Sequence, residues 1–402
     1  MKEECKKTIY ACFTGYIVQA IVNNFIPLLF ITLSVQYGIS LTHITLLITV
    51  NFCVQLLVDM LSVFFVDRVG YRICTVAAHG LAAAGLVCLT VLPEIMPNPL
   101  WGILISVLIY AVGGGLLEVL ISPIVEACPT KNKEKMMSLL HSFYCWGHIG
   151  VVLLSTLFFV AFGIRNWKIL AMLWAVLPLV NGILFIKVPI YSLLKEDEKG
   201  LSLKELFAKK MFWILMLLMF CAGACEQSVS QWASTLAEKG LGISKTMGDL
   251  LGPMAFAATM GASRVFYSKY GHKIELERFI LLSGVLCGLS YLLISLTSWP
   301  AMGLIGCSLC GLSVGILWPG IFSIGSASIK GGGTAMFALF ALAGDLGCSG
   351  GPTFVGAVAG HFQDNLKIGI LAALIFPVLL IGGCAMKKAM SRKEYCCVEA
   401  KE

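Results

Sequence analysis

The chain has 402 residues, of which 58% are apolar and only 13% charged, with a formal net charge of +7. Soluble domains carry about 25% charge, so this composition excludes most soluble enzymes, disordered chains and nucleic-acid binders. Basic residues do not interleave with aromatics as a nucleic-acid surface requires, and the cationic excess reads as the positive-inside bias of a membrane protein.

A hydrocarbon core about 30 Å thick is crossed by a helix of roughly 20 apolar residues. Taken in chain order, the apolar runs predict twelve such spans, at 9–34, 43–65, 73–93, 100–125, 136–162, 167–189, 212–236, 247–267, 278–298, 301–323, 333–360 and 365–387. The first run is too long, and lacks the small-residue site, for a cleavable signal peptide. Pro27, Pro123, Pro253, Pro319 and Pro352 fall inside spans and are expected to bend them. The longest polar stretch, Tyr191–Lys210, contains Lys195-Glu196-Asp197-Glu198-Lys199 and reads as a solvated linker. The expected organisation is a six-helix bundle at 1–189, a linker at 190–211, a second six-helix bundle at 212–387 and a tail at 388–402.

With the N-terminus placed inside, 24 of the 29 Lys and Arg fall on the cytoplasmic side. Both termini are therefore expected in the cytoplasm, with the chain an integral protein of the cell membrane and a monomer. Cys221 with Cys225, and Cys307 with Cys310, sit in apolar runs and read as small packing residues. Cys396-Cys397 lie where acylation would be feasible. No His/Cys set has the spacing of a metal site, so neither metal nor cofactor is expected.

The halves read as diverged copies. Asp67-Arg68-Val69-Gly70-Tyr71-Arg72-Ile73 follows span two, and Ser268-Lys269-Tyr270-Gly271-His272-Lys273-Ile274 follows span eight. Gly147-His148-Ile149-Gly150 in span five parallels Gly344-Asp345-Leu346-Gly347 in span eleven. Repeats of this kind imply a ligand site between the halves near the bilayer midplane.

No Lys or Arg is assigned to a span interior, which leaves five intramembrane carboxylates to explain: Asp59, Glu118, Glu126, Glu226 and Asp345. A charged side chain at the bilayer centre costs on the order of 2.5–3.5 kcal/mol on insertion scales. Asp59 and Glu126 read as packing or helix-end residues; Glu118, Glu226 and Asp345 read as functional. A carboxylate in a poorly hydrated cavity can load and release a proton near neutrality, and His148 starts near that range. These four residues are the candidates for proton coupling.

Polar residues recur at helical spacing on five spans: Gln19/Asn23, Asn51/Gln55/Asp59, Glu118/Ser122/Glu126, His141/Tyr144/His148 and Glu226/Ser230. Stripes on five apolar helices fit a solvated path better than isolated interhelical bonds. Asn23, Asn24, Gln55, Tyr144 and Gln227 are the candidate hydrogen-bonding partners of a solute. Trp232 and Trp318 could offer an apolar ring to it. No phosphate loop, serine-nucleophile elbow or H-E-x-x-H motif is present. Their absence argues against an ATP-driven pump and an intramembrane hydrolase, and no catalytic residue is expected.

Asp67-Arg68-Val69-Gly70-Tyr71-Arg72 resembles the loop signature D-[RK]-x-G-x-[RK] of the major facilitator superfamily. The resemblance implies an all-α polytopic fold of twelve transmembrane helices in two pseudo-symmetric bundles. It also implies a cytoplasmic gate at Asp67, Arg68, Gly70 and Arg72. Within that superfamily the chain looks most like the fucose-permease type of sugar/proton symporter. The resembling pieces are Leu117-Glu118-Val119-Leu120-Ile121-Ser122-Pro123, Leu140-His141-Ser142-Phe143-Tyr144-Cys145-Trp146-Gly147, and Glu226 with Trp232. Ser122 stands where the branch has Asn, and the branch's span-one Asp is absent from Asn23-Asn24-Phe25-Ile26-Pro27. The expected activity is alternating-access transport of a small polar solute, such as a sugar or related metabolite, coupled to a proton, with sodium an open alternative. An exporter of drugs or metabolites and a non-transporting solute sensor are the competing readings.

Overall fold

The computed structural model describes residues 3–39, 41–191, 193, 200–233, 250–363 and 365–399. Among these, eleven helical stretches are long and apolar enough to cross a membrane. The expected eighth span, 247–267, begins outside the described residues. Its visible part is a π-turn at Leu250–Met254 containing Pro253, then α10, defined below. Proline lacks the amide that would continue the ladder, which accounts for the irregular turn.

The chain divides into two compact units. The first holds α1 (Glu3–Asn24), α2 (Phe30–Tyr37), α3 (Leu41–Val69), α4 (Tyr71–Ile95), α5 (Pro99–Ala127), most of α6 (Lys133–Phe162) and α7 (Trp167–Lys187). The second holds α8 (Leu203–Ala208), α9 (Lys210–Ser230), α10 (Ala255–Tyr270), α11 (Leu276–Leu296), α12 (Pro300–Val314), α13 (Leu317–Ser328), most of α14 (Gly333–His361), α15 (Leu366–Ala372) and α16 (Ile375–Glu399). Two helix starts are exchanged: 132–142 is grouped with the second unit and 333–338 with the first.

Several expected bends fall where proline was placed. The first span breaks after Asn24 into a 3-10 turn at Ile26–Leu29 containing Pro27. The tenth divides between α12 and α13, with Pro319 in the first turn of α13. The twelfth divides between α15 and α16, and α16 runs on to Glu399. By contrast, α5 and α14 continue unbroken through Pro123 and Pro352. In the linker, α8 starts with a capping box: Ser202 Oγ accepts from the Glu205 amide, and the Ser202 amide donates to Glu205. The Cys396 and Cys397 side chains lie outside the described set.

Apolar side chains cover the outside as well as the inside. On α7 alone Ile169, Leu173, Val176, Val180, Ile183 and Ile186 are exposed. In water such a surface would aggregate, whereas in lipid it is the ordinary exterior of a bundle.

Without a hydrophobic drive between helices in lipid, close backbone contact supplies the packing energy. The clearest case is the seam between α9 and α14 in the second unit. A Cβ on Gly223 would lie 2.1 Å from the Gly344 carbonyl oxygen, and one on Gly347 would lie 2.0 Å from that of Phe220. Neither obstacle is a flexible side chain, so the helices themselves would have to separate. Gly347→Leu is therefore expected to cost at least the ~1–3 kcal/mol typical of overpacking, read as a fall in the thermal midpoint of the purified protein. Gly350→Leu, whose nearest neighbours are Phe220 ring atoms 3.8 Å away, should cost much less.

The Ser202 hydrogen bonds hold the exposed Glu205 carboxyl below its ordinary range. Their contribution is present above the unfolded carboxylate pKa and fades as pH falls through the depressed one. The protection factors of the α8 amides, taken against the intrinsic exchange rate at each pH, should therefore fall on acidification in the native chain, and should already be low at neutral pH in Ser202→Ala.

Candidate functional site

In the first unit the polar stripes of α1, α3, α5 and α6 meet one another. Gln19 Nε2 on α1 donates to Glu118 Oε2 on α5 at 2.7 Å. One turn away, the Tyr16 and Ser122 hydroxyls are 2.8 Å apart. One turn in the other direction, Asn23 Oδ1 accepts from Gln55 Nε2 at 2.7 Å and from Asn51 Nδ2 at 3.1 Å. Asn23 Nδ2 in turn donates to Tyr144 Oη at 3.5 Å. The spacing of these contacts along α1 follows the helical repeat that sets the stripes.

Gln55 and Asn51 are buried, whereas Asn23, Glu118 and Tyr144 are half-exposed. The buried amides thus brace a row of polar groups that remain open to a ligand. Gly114 and Gly115 make room for that row. A Cβ on Gly114 would meet Val22 at 2.9 Å, and one on Gly115 would meet the Gln55 Cα at 3.1 Å. Asn24 does not join the row, since its side chain returns to the Ala20 carbonyl of its own helix at 2.9 Å. His148 is half-buried on α6 and makes no hydrogen bond among the described residues.

The second unit has a charged centre. Glu226 Oε2 on α9 lies 3.6 Å from Arg264 Nη2 on α10. Arg264 also donates through Nε to the Gly315 carbonyl at 2.8 Å and through Nη1 to the His141 carbonyl at 2.9 Å. Its side chain is only 4% exposed and that of Glu226 13%. Gln227 donates to the other Glu226 oxygen at 3.4 Å. The charge count assigns Arg264 to a cytoplasmic helix end; the structure instead buries it between helices, and this corrects the reading that no cation enters a span. Its position three residues from the end of the eighth predicted span was the only signal available.

Asp345 is buried on α14. Trp318 is buried with its ring against Gly344, where a Cβ would come within 2.3 Å of it. Trp232 is half-buried, and its indole donates to the Pro352 carbonyl at 3.0 Å. Both rings are thus fixed by α14.

The gate residues divide by role. Asp67 Oδ1 accepts from Thr334 Oγ1 at 2.5 Å, and Tyr71 Oη bonds the same hydroxyl. Gly70 has φ +94°, a conformation that disfavours any Cβ, and its amide donates to the Val66 carbonyl at 2.8 Å, closing α3. Arg72 Nη1 donates to the Phe185 and Ile186 carbonyls at 2.7 Å each, satisfying the end of α7. Arg68 is exposed and has no ion-pair partner among the described residues.

The repeat is echoed in the second unit. There Tyr267 Oη donates to Glu134 at 2.9 Å, Ser138 Oγ to the Arg264 carbonyl at 2.7 Å, and Lys135 Nζ to the Lys269 carbonyl at 3.2 Å. In each case the start of a helix, α14 or α6, is fastened to the loop or helix end of the matching repeat segment. Thr334 and Glu134 were not singled out by the sequence, because a single hydroxyl or carboxylate at a helix start has no distinctive pattern.

A sequence model described as the Major Facilitator Superfamily matches residues 11–352. The chain belongs to the major facilitator superfamily. Among solved structures it is similar to a variant of the E. coli fucose:proton symporter FucP, at 15% identity and TM-score 0.77, over 94% of this chain and 98% of that one. It is similar to the proton:xylose symporter XylE bound to a bromodeoxyglucose, at 12% identity and TM-score 0.81, over 94% of each chain. It also resembles the human organic anion transporter MFSD10, at 14% identity and TM-score 0.74, over 96% of this chain and 100% of that one. No curated protein sequence matches it. The protein is thus an integral membrane transporter of all-α major facilitator fold.

Breaking a buried ion pair from one side leaves an uncompensated charge and costs about 3–5 kcal/mol, whereas removing both partners costs far less. Arg264→Leu is therefore expected to lower the thermal midpoint strongly, with Arg264→Leu/Glu226→Leu recovering much of the loss.

Proposed function

We propose that the protein is a proton-coupled secondary transporter of a small, hydroxyl-rich solute such as a sugar or a related metabolite. The observation that carries this reading is the half-exposed row of Glu118, Asn23 and Tyr144, braced from behind by Gln19, Gln55 and Asn51. Amide and phenol groups of fixed orientation suit a polyol, which both donates and accepts at each hydroxyl. A carboxylate among amides and phenols in a poorly hydrated row can take up and release a proton. The likeness to FucP and XylE, both proton symporters, points the same way.

Glu118 is the first coupling residue on this reading, followed by Asp345, Glu226 and His148. Gln227, Trp232 and Trp318 are the solute-binding residues of the second unit on this reading, and Asp67, Arg68, Gly70 and Arg72 organise the cytoplasmic gate. The chain acts as a monomer in the cell membrane with both termini inside. A proton is preferred to sodium because Glu118 accepts from the Gln19 amide at 2.7 Å, a contact that orients a carboxyl group for proton exchange.

One observation favours a second reading. Arg264 is a buried cation beside Glu226, and MFSD10 is an organic anion transporter; an anionic solute would use that arginine.

The test is uptake by proteoliposomes under an imposed inward proton gradient, with sugars, polyols and carboxylates as solutes. A neutral polyol should accumulate with the gradient and collapse it. Glu118→Gln should reduce gradient-driven accumulation by at least about tenfold, the effect of losing roughly 1.4 kcal/mol of coupling, while counterflow exchange survives. Undiminished accumulation by Glu118→Gln would refute the assignment, and accumulation confined to carboxylates would favour the Arg264 reading.

A further inference from the structure

A pocket lies in the second unit, lined by none of the residues used above. Its volume is about 310 Å³, and it opens among α9, α11, α13 and α16. That is the small end of the range for ligand pockets, about 300–1,000 Å³, room for part of a molecule. Its wall is apolar, built from Leu218, Ile280, Ile324 and Ile381. Its rim is charged.

The helices make this pocket for local reasons. Gly284 lets α11 close on Leu380, where a Cβ would come within 2.7 Å, and Gly383 lets α16 close on Leu218 at the same distance. Toward the basic end of α16, Cys384 and the lysines that follow it line the pocket. There Lys387 is buried and paired with Glu277, and Arg278 Nε lies 2.6 Å from Glu275 Oε2. These pairs neutralise one another. Lys388 is exposed and has no ion-pair partner among the described residues, so the rim keeps one uncompensated positive charge. The start of α11, where Glu275 holds the N-cap position without a side-chain cap bond, adds the positive end of a helix dipole.

The surface beside the pocket is hydrocarbon-facing: Leu282, Val378, Leu379 and Met386 are exposed and apolar. In a bilayer a soluble metabolite would have to reach the pocket past lipid, whereas a membrane lipid would reach it directly. We propose that this pocket binds one anionic phospholipid of the cytoplasmic leaflet, its phosphate on Lys388 at the rim and an acyl segment along Ile280, Ile324 and Ile381. Charge complementarity selects the headgroup, and the apolar wall selects the chain. The leaflet follows from the positive-inside orientation. The site is independent of which solute is carried.

The experiment uses the full chain in detergent, with native mass spectrometry and thermal unfolding against phosphatidylglycerol, phosphatidylcholine and inorganic phosphate. Phosphatidylglycerol should be retained as one adduct and should raise the thermal midpoint; phosphatidylcholine should be retained less, and inorganic phosphate should do neither. Lys388→Glu changes only an exposed side chain and should weaken phosphatidylglycerol retention by about fivefold or more, in line with the pull of one cationic group on an anionic headgroup. Ile381→Trp should fill the pocket and abolish retention. Equal retention of the two lipids, an equal shift with inorganic phosphate, or wild-type retention by both variants would each overturn the proposal.

Discussion

Hydrocarbon offers no hydrogen bonds, so a polar side chain within a span gains by finding its partner inside the protein. That condition accounts for the inner arrangement of both units. In the first it draws Gln19 to Glu118 and gathers two amides onto Asn23. In the second it gives Arg264 two backbone carbonyls as well as a carboxylate. Once these groups are satisfied, the remaining helix faces are free to be apolar, which is what the exposed leucines and isoleucines show.

The two units solve the same problem with different chemistry. In the first, neutral amides and phenols gather beside Glu118, while the second centres on an ion pair. A diverged repeat explains how both can share a fold: helix placement is set by backbone contact and glycine, which tolerate a change of polar residues elsewhere. The fastening of helix starts obeys the repeat as well. Thr334 with Asp67 and Tyr71, and Glu134 with Tyr267, use different groups at matching places.

Much of this was legible in the sequence. Spans follow from apolar run length, and the breaks near Pro27, Pro253 and Pro319 follow from a missing amide. The polar stripes were visible from helical spacing, because a four-residue interval brings side chains to one face. Which stripes face one another was not, since that depends on helix rotation and order. Asn24 shows the limit: it neighbours Asn23 in the chain but points about 100° away on the helix, and it bonds its own backbone instead. Arg264 was missed because a cation three residues from a predicted boundary looks like a helix end when edges are uncertain. α14 continues as helix through Pro352, as membrane helices can where neighbouring groups take up the carbonyl that proline frees.

The seam between α9 and α14 has a further consequence. Glu226 rides on one of these helices and Asp345 on the other, and backbone meets backbone between them. Such a joint resists slippage: a shift of one residue would drive a side chain into a carbonyl. The two acids are therefore mounted on what is mechanically a single strut, and whatever the carrier's cycle does to the surrounding water, the spacing of their anchor points is preserved.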